Sequence, residues 1–141
     1  MYYASATFDC ALAEVIHHRE NFLVRTDEPP NDLDLRVILA DVDARLLDLR
    51  EVSDRAAAVL DPDSCAASQP LGRALRDGGR DGVVFHSVRF ASGECVGLFR
   101  PKALLHALAD RYVGLHWDGM RVSHWYEKGG PVGICYRNQC R

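Results

Sequence analysis

The chain has 141 residues, of which 48% are hydrophobic and 26% are charged, and its formal net charge is −3. This is enough chain for one domain with a buried core, and the slight negative charge gives no electrostatic reason to expect nucleic-acid binding. No apolar run approaches the length of a membrane span, and the N-terminus lacks the basic and apolar regions of a signal peptide. We therefore expect a cytoplasmic protein with no direct contact to nucleic acid or membrane.

The five cysteines are Cys10, Cys65, Cys95, Cys135 and Cys140. Because their number is odd and they are widely scattered, they do not suggest a disulfide framework. No second pair with the spacing of metal ligands accompanies the two cysteines near the C-terminus. We therefore expect free thiols and no metal site.

The first predicted elements are a strand over residues 1–5 and a helix that ends near Glu20. Thr7 or Asp9 is expected to cap this helix, because a short side-chain oxygen can accept the free N–H groups of the first turn. The apolar residues with the spacing of one buried face are Phe8, Ala11, Leu12, Val15 and Ile16. At 100° per residue, Glu14 falls off the centre of that stripe, toward its edge. This position fits either a solvated helix glutamate or a carboxylate that looks into a cleft.

The next segments are predicted as a loop over residues 21–32, a strand over 33–40 with one apolar face, a short strand over 46–49 and a small helix over 53–60. A helix over residues 70–76 follows, and two glycines end it.

Residues 82–86 form a mostly apolar predicted strand, and Ser87 lies at its end. A hydroxyl at this place is well positioned for ligand contact, but an ordinary turn serine fits equally. A strand over residues 94–99 and a short helix opened by Pro101 come next. Residues 111–117 and 120–126 are predicted to form a hairpin through an Asp-Gly turn. Three aromatic residues of that hairpin fit either the core or a binding platform: Trp117, Trp125 and Tyr126.

These elements predict a mixed α+β fold with small sheets and packed helices, without the regular βαβ alternation of a doubly wound sheet. We expect one domain over residues 1–128 and a flexible tail over residues 129–141. The sequence has neither a Gly-rich dinucleotide fingerprint nor a phosphate-binding Gly-Lys-Ser/Thr loop, which argues against a Rossmann dehydrogenase and a P-loop NTPase.

Three blocks of the sequence resemble RES-domain proteins, which are bacterial toxins usually encoded beside an Xre-like antitoxin. In chain order, the blocks are YYA at residues 2–4 with ALAEVIHHRE at 11–20, ASQPLGRALR at 67–76 with GVVFHSVR at 82–89, and GECVGLFRPKAL at 93–104. The family is named after an arginine, a glutamate and a serine, and Glu14 and Ser87 match the last two. The arginine normally precedes the Tyr-Tyr-Ala strand, so the resemblance implies an N-terminally incomplete RES domain in which no residue replaces it by motif.

The resemblance implies an ADP-ribosyltransferase-like fold that cleaves the nicotinamide–ribose bond of NAD, with phosphate or water as acceptor. NAD is then a substrate, and no cofactor is expected. Glu14 is implied to stabilise the oxocarbenium-like charge on the ribose, Tyr3 to stack on nicotinamide or flank the ribose, and Ser87 to hydrogen-bond ribose or phosphate oxygens. Arg89 has a suitable guanidinium for the pyrophosphate, and its structural alternative is an ion pair with Glu94 or an aspartate.

Two hypotheses follow from the resemblance. The first is a toxin domain that degrades NAD, and the second is a truncated, catalytically weak or inactive RES domain that binds an Xre-like antitoxin. An arginine encoded shortly before Tyr2 would favour catalysis, whereas Met1 as the true start would favour weak activity or none. A small α+β ligand-binding domain is the third, unrelated alternative. The oligomeric state stays open, a homodimer included.

Overall fold

The computed structural model describes residues 1–51 and 68–129, which contain two α-helices, one 3₁₀ helix and seven strands. In chain order, the elements are β1 (Tyr2–Ser5), α1 (Phe8–Arg25), β2 (Asn31–Val42), β3 (Leu46–Asp48), α2 (Ser68–Asp77), β4 (Gly82–His86), β5 (Glu94–Leu98), the 3₁₀ helix (Pro101–Ala103), β6 (Leu104–Trp117) and β7 (Val122–Glu127). This confirms the mixed α+β fold class. The predicted helix over residues 53–60 and almost all of the predicted tail lie outside the described residues.

The strands form two small sheets. The first sheet has the order β1-β5-β4-β3, with β3 parallel to β4 and the other pairs antiparallel. The second sheet has the order β2-β6-β7 and is antiparallel throughout. In the part of the chain that the structure describes, no helix is both long and apolar enough to cross a membrane.

Helix α1 begins at the predicted cap, since the Thr7 hydroxyl oxygen accepts a hydrogen bond from the Cys10 amide at 3.3 Å. The helix is longer than predicted: it continues to Arg25 rather than ending near Glu20, so residues 21–25 are helical and not part of a loop. The cause lies in packing. Leu23 is buried in the core against the second sheet, which holds the last turn in place before the chain turns at Asp27, whose φ is 51°.

The main core lies between α1 and the second sheet. Its buried members are Leu12, Leu23, Leu115, Trp117 and Val122. The backbone N–H of Val122 also donates to the Glu20 side chain at 2.7 Å, which fixes α1 to β7. This packing makes α1 the rigid element from which the candidate site is built.

The predicted Asp-Gly turn joins β6 to β7. Both Met120 and Arg121 donate their backbone N–H to the Asp118 side chain, and Gly119 has a φ of +95°. The aromatic side chains of this hairpin have structural roles. Trp117 is fully buried, Trp125 packs against the same core, and the Tyr126 ring lies over Gly114, where it fills the space of the missing side chain.

Strand β6 begins seven residues earlier than the predicted start at residue 111. Its N-terminal half pairs with the second half of β2, from Ile38 opposite Ala109 to Val42 opposite Leu104. The sequence of this half does not alternate between apolar and polar residues, so the pairing with a distant strand, rather than the local pattern, makes it a strand.

Candidate active site between helix α1 and the first sheet

The candidate site lies on the side of α1 that faces the first sheet. Leu12 and Leu23 pack on the second sheet, whereas Cys10 is fully buried on another side of the helix, where its Sγ lies 3.6 Å from the Sγ of Cys95 on β5. Glu14 follows Cys10 by four residues, so it lies on the same side, one turn further along. Glu14 therefore does not lie at the edge of the main apolar stripe, as expected from the sequence. Helix α1 is buried on two sides, and Glu14 lies on the side that faces the first sheet.

The Glu14 carboxylate meets two side chains that come from the loop after β4. The Ser87 hydroxyl donates to Glu14 Oε1 at 2.6 Å, and the Arg89 Nη1 donates to Glu14 Oε2 at 2.8 Å. The structure thus brings three of the four sequence-predicted site residues into direct contact, although 73 and 75 positions separate Glu14 from its partners.

The Ser87 hydroxyl is fully engaged inside the protein. Besides donating its proton to Glu14, its oxygen accepts hydrogen bonds from the backbone N–H of Arg89 at 3.1 Å and of Phe90 at 3.0 Å. A hydroxyl has one proton to donate and two lone pairs that accept, so these three bonds use its whole capacity. In this arrangement the hydroxyl orients the glutamate and the loop.

Residues 87–93 form a short loop that is closed by its own backbone. The Ser87 N–H donates to the Gly93 carbonyl at 2.8 Å, and the Gly93 N–H donates to the Phe90 carbonyl at 3.0 Å. Ser92 takes a left-handed conformation with a φ of 60°. Because both ends of the loop are hydrogen-bonded to each other, the loop holds Ser87 and Arg89 in a fixed relation to β5.

The ion pair between Arg89 and Glu14 is partly removed from water, with 17% of each side chain exposed. Such a pair is expected to be stronger than a solvent-exposed pair, which contributes about 0–1 kcal/mol. The predicted structural alternative for Arg89 is an ion pair with Glu94 or an aspartate. Glu94 is wrong as that partner, since Arg89 binds Glu14 and Glu94 is bound by Arg50 at 2.5 Å, whereas an aspartate partner stays a prediction.

Tyr3 lies on the same face of the first sheet but at its other end. Its ring lies beside Gly97, its register partner on β5, and 66% of the residue is exposed. Gly97 is four residues from Gly93, the partner of Ser87, which corresponds to about 13 Å along the strand at roughly 3.3 Å per residue. The structure therefore places Tyr3 on the face of the first sheet that also presents Cys95, and no hydrogen bond between described residues joins it to Glu14, Ser87 or Arg89.

Two features near the site were not singled out from the sequence. The Cys10 and Cys95 thiols form a buried contact, and burial raises the pKa of the Cys95 thiol to about 12. On the opposite face of the sheet, hydrogen bonds from Arg50 lower the pKa of the Asp48 carboxyl to about 2. The helical spacing of Cys10 and Glu14 predicts that they share one side of α1, but no sequence signal pairs Cys10 with Cys95. Over residues 1–51 and 68–129, no group of three or more His, Cys, Asp and Glu side chains is arranged to hold a metal ion.

The sequence of this chain is similar to known proteins. The chain is 31% identical over 116 residues to the uncharacterized protein y4oC of Sinorhizobium fredii (strain NBRC 101917 / NGR234), an alignment that covers 82% of this chain and 47% of that protein. The chain thus spans about half the length of this curated relative. The family model of the RES domain matches residues 1–118, which include Tyr3, Glu14, Ser87 and Arg89. The chain therefore belongs to the RES domain family.

Proposed function

We propose that this RES domain is a toxin domain that cleaves the nicotinamide–ribose bond of NAD, with Glu14 as the catalytic carboxylate and phosphate or water as acceptor. The observation that carries the proposal is the hydrogen-bonded cluster of Glu14, Ser87 and Arg89, which two distant segments of the family-matched range build together. The ADP-ribosyltransferase-like architecture is part of the proposal, and the two small sheets that flank α1 support it. Because NAD is an intracellular metabolite, the proposal places the active protein in the cytoplasm.

The reaction requires stabilisation of positive charge on the ribose. When the bond between ribose C1′ and the nicotinamide nitrogen breaks, its electron pair leaves with nicotinamide, which becomes neutral. The ribose then has oxocarbenium-like character until an oxygen of phosphate or water bonds to C1′, with loss of a proton in the case of water. A carboxylate held beside the ribose stabilises this charge as it develops.

The environment of Glu14 suits this role. A carboxylate has about four acceptor positions, and the bonds from Ser87 and Arg89 use two of them, so acceptor capacity is left for ribose hydroxyls. The same two bonds fix the orientation of the carboxylate before substrate arrives, and such preorganisation is what makes an electrostatic partner effective. We therefore assign Ser87 to positioning Glu14 rather than to direct contact with ribose or phosphate.

Arg89 and Tyr3 are proposed to complete the site. Arg89 adds positive charge next to Glu14, which suits an anionic pyrophosphate or an acceptor phosphate. The exposed ring of Tyr3 offers a flat surface that can flank the nicotinamide or the ribose. These two roles are additions to the proposed NAD cleavage, which itself depends on Glu14.

The experiment that tests the proposal measures nicotinamide release from NAD by the purified chain, in buffers with and without inorganic phosphate. We expect time-dependent release by the wild-type protein and strongly reduced release by Glu14→Gln. Mass analysis of the second product separates the acceptors, because phosphate gives ADP-ribose 1″-phosphate and water gives ADP-ribose. If wild-type protein leaves NAD intact in both buffers, the proposed activity is refuted for this chain.

One observation favours a second candidate, a RES domain that binds an Xre-like antitoxin without catalysis. Arg89, the residue predicted to bind the pyrophosphate, is already engaged with Glu14. A protein that releases no nicotinamide but forms a stable complex with an Xre-like protein encoded beside it would support this candidate. A protein that releases nicotinamide at a rate that depends on Glu14 would exclude it.

A further inference from the structure

Gly93 and Cys10 make a close contact one helical turn before Glu14. A Cβ atom placed on Gly93 would lie 2.5 Å from the Sγ of Cys10, and 3.1 Å from both Cδ1 and the backbone carbonyl oxygen of Phe90. Real Cβ atoms essentially never approach a neighbour as closely as the first of these distances, so any side chain at position 93 would force the loop or Cys10 to move.

Cys10 has little freedom to withdraw from this contact. Its thiol is fully buried, and behind it the Sγ of Cys95 lies 3.6 Å away. The Cys95 thiol is in turn backed by the Ser5 hydroxyl at 3.3 Å. A new methyl group at position 93 would therefore be expected to displace the loop rather than the helix, because cores of this density resist overpacking.

Gly93 is needed at this position for space and not for backbone conformation. The described glycines with positive φ are Gly79, Gly119 and Gly129. Alanine can therefore adopt the φ of Gly93, and the steric conflict lies with the thiol and with the ring and carbonyl oxygen of Phe90. Removal of the thiol should consequently relieve the closest of these contacts, the one at 2.5 Å.

The contact is directly connected to the glutamate cluster. The Gly93 carbonyl accepts the hydrogen bond from the Ser87 N–H that closes the loop, and Ser87 in turn bonds Glu14. On the other side, Cys10 and Glu14 are one turn apart on the same rigid helix. The distance between Gly93 and Cys10 thus sets the distance between the loop and the carboxylate.

We propose that Gly93 and Cys10 are a positioning pair. Their close contact holds the 87–93 loop against α1, so that Ser87 and Arg89 reach Glu14. Neither residue is assigned contact with substrate. The kinetic consequence rests on the proposed NAD cleavage, whereas the geometric consequence does not.

The test compares Gly93→Ala, Cys10→Ala and the double variant in steady-state kinetics with NAD. We expect Gly93→Ala to lower kcat about 100-fold, since a displacement of about 1 Å at a catalytic group can cost this much. KM should rise less than kcat falls, because Glu14 acts on the transition state, whereas the proposed contact of Arg89 with the pyrophosphate contributes to substrate binding. The double variant should recover at least about tenfold of this loss relative to Gly93→Ala, because residues in direct contact have non-additive effects.

Gly72→Ala serves as the matched control. A Cβ on Gly72, in α2, would make ordinary contacts of 3.6 Å with Met1 and 3.7 Å with Phe99, so we expect a wild-type kcat. Wild-type kcat in Gly93→Ala, or a double variant as impaired as the single variant, would overturn the positioning role.

Crystal structures of the same variants keep the two proposals distinguishable. In Gly93→Ala we expect the distance from Ser87 Oγ to Glu14 Oε1 to exceed hydrogen-bonding range, and in the double variant we expect the bond to return. If wild-type protein does not cleave NAD, the proposed function fails, but these distances still decide the positioning role. An intact Ser87–Glu14 bond in Gly93→Ala would refute it.

Discussion

Replacement of Glu14 by glutamine is the sharpest perturbation of the candidate site, because the structure shows what the amide would meet. Both carboxylate oxygens accept hydrogen bonds, one from Ser87 and one from Arg89. Glutamine keeps one acceptor and replaces the other with an N–H₂ group, which only donates. One of the two bonds must therefore be lost, and the guanidinium of Arg89 loses its counter-charge.

The magnitude has a catalytic and a structural part. Loss of one preorganised electrostatic partner lowers turnover by about 10²–10³-fold, which is the effect expected of Glu14→Gln on nicotinamide release. A hydrogen bond to a charged group contributes about 1.5–3 kcal/mol, and the partial exposure of this pair favours the lower end of that range for the loss of stability. Glutamine at this position should therefore give a folded but less stable protein, so stability must be measured together with rate.

The assay follows nicotinamide release over time at saturating NAD, with urea unfolding of the same preparations. Glu20→Gln is the matched control on the same helix. Glu20 accepts a hydrogen bond from the Val122 amide at 2.7 Å, a bond that a glutamine oxygen can keep, so its turnover should equal that of the wild type. Equal rates for Glu14→Gln and wild type would refute the catalytic role, and an equal loss in both variants would show that the effect comes from the helix and not from the site.

Three further perturbations test other parts of the structure. Ser87→Ala should lower turnover less than Glu14→Gln, by about tenfold in the nicotinamide assay, because a hydrogen bond to the carboxylate is lost but its charge remains; a loss as large as that of Glu14→Gln would contradict this ranking. Since Arg50 holds the pKa of Asp48 near 2 in the folded protein instead of 3.8, this carboxylate should stabilise the fold above pH 4 and lose that effect as the pH falls to about 2. As the pH falls over that range, the free energy of unfolding measured with urea should therefore decrease less for Asp48→Asn than for the wild type. Equal decreases in the two proteins would exclude a contribution of the Asp48 carboxylate to stability. Burial raises the pKa of Cys95 from 9.0 to about 12, so its neutral thiol favours the fold up to about pH 9 and this effect is lost as the pH rises to about 12. Wild-type protein should lose more unfolding free energy than Cys95→Ala over this alkaline range, and parallel pH curves would contradict the assignment.

The elements with local signals could be predicted from the sequence. Thr7 caps α1, the Asp118-Gly119 turn closes the hairpin, and β4 ends one residue before Ser87. In each case the side chains that determine the structure lie within a few residues of the feature they determine. The fold class followed from the same local signals, since they gave a mixture of helices and short strands without regular alternation.

The predictions that were wrong concern features that depend on contacts between distant segments. The end of α1 is set by Leu23 against the second sheet, and the second buried side of the helix becomes evident only from the contact between Cys10 and Cys95. Periodicity predicts the main apolar stripe, but a small cysteine and a polar glutamate give no hydrophobic signal on the opposite side. Glu94 was wrong as the predicted partner of Arg89 for a related reason, since proximity in sequence favoured Glu94 whereas the fold supplied Glu14.

The chemistry of the cluster explains why these particular residue types occur together. A serine hydroxyl is a small group that can accept from two backbone N–H groups and donate to a carboxylate at the same time, as Ser87 does with Arg89, Phe90 and Glu14. Alanine could do neither, and an ionised carboxylate could only accept. The serine and the glutamate therefore form one unit, in which the loop determines where the hydroxyl points and the hydroxyl helps to determine where the carboxylate points. Because the orientation of Glu14 depends on the loop in this way, a displacement of the loop at Gly93 is expected to affect turnover through Glu14. Gly93 itself need not contact the substrate.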